Sequence, residues 1–239
     1  MELRGAVAAI TGASKGIGRE TALAFARAGA HLAIGARDLT ALAAVQQSAR
    51  AAGSPGVLMV HLDVRQSLTC QSFIDQTVKT FGQLDILVNN AGIGYYGPVA
   101  ETTDAEWEAT MRTNVDGVFY CTRAALQPML ARGAGHIIIL SSGLGKQARA
   151  NQAAYSAAKF AIQGFSDALR QEVQPRGIRV TIIAPGFVDT DFRATHRNRP
   201  NVPPPERMLT ARDVAEAIVW AAQAPPTALP AEIVLLPGR

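Results

Sequence analysis

The sequence predicts one α/β domain built on a doubly wound, parallel, seven-stranded sheet. Three observations carry this reading. Short runs rich in Val, Ile and Leu alternate with longer helical patterns, those runs are apolar on both faces, and the first is followed at once by a glycine-rich turn that opens a helix. A strand that is apolar at every position needs cover on both sides, which helices on both faces of a parallel sheet supply. Strands are expected at Val7–Ile10, His31–Ile34, Val57–Leu62, Leu84–Val88, His136–Leu140, Arg179–Ala184 and Ile233–Leu236. Helices are expected at Ile17–Ala28, Leu39–Ala52, Leu68–Phe81, Asp104–Met129, Ala153–Val173 and Ala211–Ala222, several of them bounded by Gly or Pro. A ligand then belongs in the crevice beyond the carboxyl ends of the strands, where the winding reverses.

The 239 residues, 48% of them hydrophobic, suit a single core spanning 1–239. The apolar start Met1–Ile10 contains Glu2 and Arg4, lacks a small-residue cleavage site and reads as a buried strand, so a cytoplasmic protein is expected. No segment reaches the roughly twenty apolar residues of a membrane span, and no membrane partner is expected. Cys70 and Cys121 show neither CxxC nor Cys/His spacing, so both read as buried thiols and no metal site is expected. The net charge of +4 is scattered and forms no basic stripe interleaved with aromatics, which argues against nucleic acid and leaves room for a phosphorylated cofactor. Only Arg193–Pro205 breaks the alternation; it reads as part of a mobile substrate loop, 187–208.

After the first strand comes Thr11-Gly12-Ala13-Ser14-Lys15-Gly16-Ile17-Gly18, then an amphipathic helix. Gly12 permits the turn, Gly16 lets backbone approach a pyrophosphate, Gly18 lets helix pack on sheet, and Ser14, Lys15 and Ile17 lie where the helix N-terminus meets the anion. The spacing GxxxGxG differs from the GxGxxG of the ordinary Rossmann fingerprint, and a plain tight turn is the competing reading. The neighbouring motifs decide. Asn89-Asn90-Ala91-Gly92 follows the fourth strand, Ser142 follows the fifth, and Tyr155-x-x-x-Lys159 lies on the next helix. Together with the glycine turn, from about residue 5 to residue 220, they resemble the short-chain dehydrogenase/reductase family.

That resemblance implies a Rossmann-type fold and a nicotinamide cofactor. At the end of the second strand, Ala36 cannot accept from a ribose hydroxyl as a carboxylate would, whereas Arg37 offers a planar fork suited to a 2′-phosphate and Lys15 a second cation. Both match family members that prefer NADP(H), the cofactor expected here; Asp38 reads as a helix cap. Asp63-Val64 matches the family's adenine site, although a helix-capping Asp63 is an open alternative. Asn90, Ala91 and Gly92 are cofactor-side candidates, and Pro185-Gly186 with Val188 and Thr190 match the segment at the nicotinamide end.

Tyr155 and Lys159, at i and i+4, share a helix face. A phenol titrates at about 10, and an ammonium nearby with the positive nicotinamide is expected to favour the phenolate. Ser142, thirteen residues before Tyr155, is placed to donate to a carbonyl oxygen, while Ser141 reads as support for the turn. Asn114, an unfavourable residue inside a helical pattern, matches the family asparagine that disturbs its helix and holds a water linked to the lysine. The expected activity is hydride transfer between NADP(H) and a small-molecule carbonyl or secondary alcohol, with Tyr155 as general acid and base. A narrower alternative is a 3-oxoacyl thioester reductase, and the non-enzymatic one is an NADP(H)-sensing regulator.

The substrate side is assigned to Gly94–Pro98, Gly143–Gln152 and Phe187–Met208, with Tyr95, Tyr96, Gln147, Gln152, Phe187 and Phe192 as lining candidates. Arg193, His196, Arg197 and Arg199 read as a solvated charge run or an attractor of anions. The helices Asp104–Met129 and Ala153–Val173 resemble those that pair subunits in the family, so a homotetramer or homodimer is expected.

Overall fold

A computed structural model describes residues 2–192, 203–225 and 227–238. Its main sheet has the order β3-β2-β1-β4-β5-β6-β9 with every pairing parallel. The strands are β1 (Val7–Thr11), β2 (His31–Ala36), β3 (Val57–His61), β4 (Ile86–Asn89), β5 (Gly135–Leu140), β6 (Ile178–Pro185) and β9 (Glu232–Leu235), so all seven expected strands are present with ends moved by a residue or two. The order runs outward from β1 in both directions, and the reversal lies between β1 and β4.

Residues of alternate orientation along each strand divide between two cores. On one face Ile10, Leu32, Ile34 and Val88 pack with α1 (Gly16–Arg27), α2 (Leu39–Ala51) and α7 (Ala211–Gln223) through Phe25, Leu42, Val45, Val214 and Ile218. On the other, Leu87, Ile137, Ile139 and Val180 pack with α3 (Ser67–Phe81), α5 (Gly117–Arg132) and α6 (Ala153–Val173) through Phe73, Cys70, Cys121, Met129 and Ile162. Burial on both faces explains why the strands read as continuous apolar runs instead of an alternating pattern. Both thiols are free and buried.

The structure departs from the expected elements in two places. The long helix Asp104–Met129 is α4 (Asp104–Met111) and α5 joined by a π turn, Arg112–Asp116. Further on, the loop region holds a short parallel pair, β7 (Val188–Asp189) with β8 (Leu209–Thr210), which two-residue strands cannot announce by periodicity. Residues 193–202, with Arg193, His196, Arg197 and Arg199, lie outside the described residues. Among the described residues no helix is long and apolar enough to cross a membrane, and no group of His, Cys, Asp and Glu could hold a metal.

Candidate active site

The carboxyl ends of the strands open into one cavity of about 1470 Å³. Gly12, Ser14, Lys15, Gly16, Ile17, Arg37, Asp63, Val64, Asn90, Ala91, Gly92, Ser142, Tyr155, Lys159, Pro185, Gly186, Val188 and Thr190 all line it. Two expected site residues do not. Gly18 is buried behind the turn, where a Cβ would strike the Gly12 carbonyl and the Asn90 amide, so its role is close packing. Asn114 is fully buried behind the wall.

The glycine turn is shaped from β1 and β4 together. Gly12 (φ 65°) and Gly16 (φ 55°) take left-handed backbone, and a Cβ on Gly12 would stand 2.8 Å from the Ala91 Cα. Asn90 clamps the turn by donating from Nδ2 to the carbonyls of Thr11 (2.8 Å) and Gly12 (3.1 Å). In return, Thr11 Oγ1 accepts from the backbone N–H groups of Asn90 and Ala91, each at 3.0 Å. The first turn of α1 contains no acidic residue and its N-cap, Lys15, makes no side-chain cap bond. Its leading N–H groups are thus left to an anion in the cavity.

Residues facing the adenosine end fit a 2′-phosphorylated dinucleotide. Among the described residues neither Lys15 nor Arg37 forms an ion pair. Asp38, the one carboxylate beside them on that strand end, caps α2 by accepting from Ala41 N at 2.9 Å. Asp63 does not cap α3, whose N-cap is Gln66. Its carboxylate is gripped by Arg65, through Nε at 2.9 Å and the backbone N–H at 3.1 Å, and Arg65 holds the Asp63 carboxyl below its usual range. Arg65, also at the cavity wall, is a residue the sequence reading missed; only its place two positions after Asp63 hints at a fork that can fold back.

At the other end, α6 presents Tyr155 and Lys159 on one face, 7% and 5% exposed, with the ammonium 5.5 Å from the ring centroid. Lys159 Nζ donates to the Leu140 carbonyl at the end of β5 (2.8 Å), an anchor no sequence pattern specified. Burial pushes the Lys159 ammonium down to about 8. Burial likewise pushes the Tyr155 phenol up, with Tyr96 adding to the rise and a hydrogen bond with Ser142 opposing it. Enclosure by apolar walls sets that direction in the chain alone, whereas the phenolate expected above is tied to the ammonium together with a positive nicotinamide. Ser142 accepts from Leu144 N (3.2 Å) at the start of the 3-10 turn Gly143–Gly145. Ser141 supports that region through its backbone N–H, donating to the Ile183 carbonyl at 2.8 Å, while its hydroxyl has no hydrogen-bond partner among the described residues.

Asn114 sits in the π turn and donates from Nδ2 to the carbonyls of Thr110 and Ile93, both at 2.8 Å, while Oδ1 accepts from Ile93 N at 3.3 Å. It tethers the segment after β4 to the helix and makes no direct bond to Lys159. A π turn leaves a carbonyl without its helical partner, the kind of acceptor that holds a water. Tyr96 meets the Tyr155 ring edge-on at 5.6 Å, Phe192 lies against it at 5.8 Å, and Arg149 lies over Phe187 at 5.5 Å.

Residues 6–201 match the family model described as short chain dehydrogenase. The 3-oxoacyl-[acyl-carrier-protein] reductase of Escherichia coli is 36% identical over 192 residues, 80% of this chain and 77% of that protein. The glycine betaine reductase of Emericella nidulans is 35% identical over 240 residues, 98% of this chain but 19% of that protein. Across three of the curated relatives it matches, the chain spans 19%, 60% and 55% of their length. Among solved structures, an alcohol dehydrogenase from the archaeon Thermococcus sibiricus, complexed with 5-hydroxy-NADP, superposes with a TM-score of 0.88 at 29% identity, covering 98% of this chain and 97% of that one. The fold is the Rossmann-like parallel sheet of these solved structures. The chain belongs to the short-chain dehydrogenase/reductase family.

Proposed function

We propose that this chain is an NADP(H)-dependent oxidoreductase that moves a hydride between the cofactor and a carbonyl or secondary alcohol, with Tyr155 as general acid and base. The observation that carries the reading is one cavity whose walls hold the glycine turn, Lys15 and Arg37 at one end and Ser142, Tyr155 and Lys159 at the other. Lys15 and Arg37 hold the 2′-phosphate, Gly12–Gly16 and the α1 N-terminus the pyrophosphate, Asp63 and Val64 the adenine, and Asn90–Gly92 with Pro185, Gly186, Val188 and Thr190 the nicotinamide half. The 5-hydroxy-NADP in the Thermococcus sibiricus relative agrees with this preference. The bound nicotinamide supplies or takes the hydride.

In reduction Ser142 donates to the carbonyl oxygen and Tyr155 delivers the proton to it as hydride reaches the carbon. A phenol pushed up by burial stays protonated at neutral pH, the state a proton donor needs. Lys159 then restores the proton, fed by water held at the π turn of Asn114. The same groups run oxidation in reverse, with Tyr155 as base. The full span 1–239 acts as one catalytic domain, with 187–208 as its substrate loop. The same reading makes it a cytoplasmic homodimer or homotetramer joined through α5 and α6, where Phe119 and Phe160 are 41% and 46% exposed.

The test is oxidation of NADPH and of NADH against ketones, aldehydes, 3-oxo esters and quinones. Turnover with NADPH supports the reading. Likeness to a 3-oxoacyl-[acyl-carrier-protein] reductase is the observation that favours thioesters as the narrower substrate class, so 3-oxoacyl thioesters belong in the panel. Cofactor binding without turnover across the panel would overturn catalysis and favour a sensor.

A further inference from the structure

Two neighbouring residues on the substrate side break local rules. Asn151 is the one non-glycine among the described residues with positive φ, 63°. Its carbonyl accepts from Gly97 N at 2.8 Å, which ties the loop bearing Tyr95 and Tyr96 to the start of α6. Gln152 follows at the N-cap of α6, a position where a side chain ordinarily accepts from the first turn, and it makes no cap bond. Its Oε1 is buried and has no hydrogen-bond partner among the described residues. Among the described residues, the buried polar side-chain atoms without partners at the cavity wall are those of Ser141 and Gln152.

A buried amide oxygen without a partner costs free energy that the fold recovers elsewhere, and such violations gather where function needs them. Gln152, the N-cap, precedes Tyr155 by three residues at the same end of α6, and both line the cavity. The last torsion of a glutamine side chain is broad, so the amide turns toward the cleft at little cost. Around the reacting position the other walls are aromatic: Tyr96 and Phe192 flank the Tyr155 ring at 5.6 Å and 5.8 Å. The arrangement offers flat apolar contact to one arm of a substrate and, from the wall that also carries Gln147 and Asn151, the unpartnered amide oxygen of Gln152 to the other.

Resting on the oxidoreductase reading above, the geometry points to Gln152 as a specificity-determining residue: its amide accepts from a hydroxyl one or two carbons from the reacting carbonyl, selecting hydroxy ketones with a flat apolar arm over plain ketones. The strained Asn151 aims it and fixes the aromatic wall at the same time. In this assignment Gln152 takes no part in proton or hydride transfer. It binds the neighbouring hydroxyl and so fixes which face and which carbon meet Ser142 and Tyr155.

The test compares acetophenone with 2-hydroxyacetophenone, which differ only in that hydroxyl, as substrates for NADPH-dependent reduction. The wild-type chain is expected to favour the hydroxylated ketone by about tenfold in kcat/KM, the worth of one hydrogen bond with a dry partner. Gln152→Met, unbranched and of similar size, should bring the ratio close to one with NADPH affinity unchanged, and Gln152→Glu, which keeps an acceptor, should retain the preference. A wild-type ratio near one, or the same ratio in Gln152→Met, would overturn the assignment. If neither ketone is turned over, thermal stabilisation by each compound in the presence of NADP decides: stabilisation by 2-hydroxyacetophenone that Gln152→Met loses supports the role of Gln152 while the catalytic reading fails, and equal stabilisation of both proteins overturns it.

Discussion

The two halves of the cleft are built in different ways. On the cofactor side the surface is mostly backbone: left-handed glycines, the open N-terminus of α1, and a turn held by Asn90 and Thr11 reaching across from β4 and β1. On the substrate side it is side chains, with Tyr96, Phe192, Gln152 and Tyr155 projecting from three separate segments. A backbone surface can be altered only by deforming the chain. A side-chain surface can be exchanged residue by residue while the strands beneath stay put, which is how one fold accepts many substrates.

The sharpest way to break the comparison is at the residue where both halves meet. Tyr155→Phe should lower kcat by on the order of 10³-fold or more, since positioned acid–base groups contribute about 10²–10⁴. NADPH affinity, read by fluorescence titration, should change little; surviving turnover would remove Tyr155 from its role. Gly12→Val should damage the cofactor half alone, because a Cβ there meets backbone at 2.8 Å. The strain, about 1–3 kcal/mol before the clash is counted, should appear as a lower melting temperature together with lost binding of NADPH and NADH alike.

Arg37→Ala tests charge rather than shape. It should weaken NADPH by about tenfold or more and NADH by far less, since a charge-assisted hydrogen bond is worth about 1.5–3 kcal/mol. Equal loss for both would mean that Arg37 does not meet the 2′-phosphate. A smaller effect concerns pH. Burial pushes the Lys159 ammonium down to about 8, and in the proposed relay it returns a proton to Tyr155 only while charged, so the rate of reduction should be level on the acid side and fall as pH rises through about 8. Lys159→Arg, charged throughout, should remove that descending limb from whatever activity remains; a limb that stays belongs to another group. Smallest in activity is Phe160→Glu on α6, expected to shift the assembly toward monomer in light scattering while the cleft keeps its contents.

The same contrast explains what was legible in the sequence. The order of strands and helices was readable because each strand is buried on both faces and leaves an unbroken apolar run. Gly12 with Gly16, and Tyr155 with Lys159, stood out because their spacing is local, set within one turn or one helix, whereas Ser142 stood out by its place after the fifth strand and by the family resemblance. The fork of Arg65 on Asp63, the anchoring of Lys159 on Leu140 and the clamp from Asn151 to Gly97 were not, because each depends on contacts that no periodic pattern records. The dryness around the Tyr155 phenol was not readable either, because i, i+4 spacing places an ammonium nearby but says nothing of how enclosed the surroundings are.

The π turn at Arg112–Asp116 accommodates one residue more than a regular helix would hold. Its register is therefore separable from the fold. Deleting Asn114 would let α4 run into α5 as an ordinary helix, with Thr110 and Gly117 still on their present faces and the layers of the domain undisturbed. What would go is the tether to Ile93, while Asn90 and Ala91 would stay bonded to the glycine turn through Thr11 and Gly12. A single inserted residue, tolerated at a cost in helical regularity, thus joins two segments that the layers of the domain would leave separate.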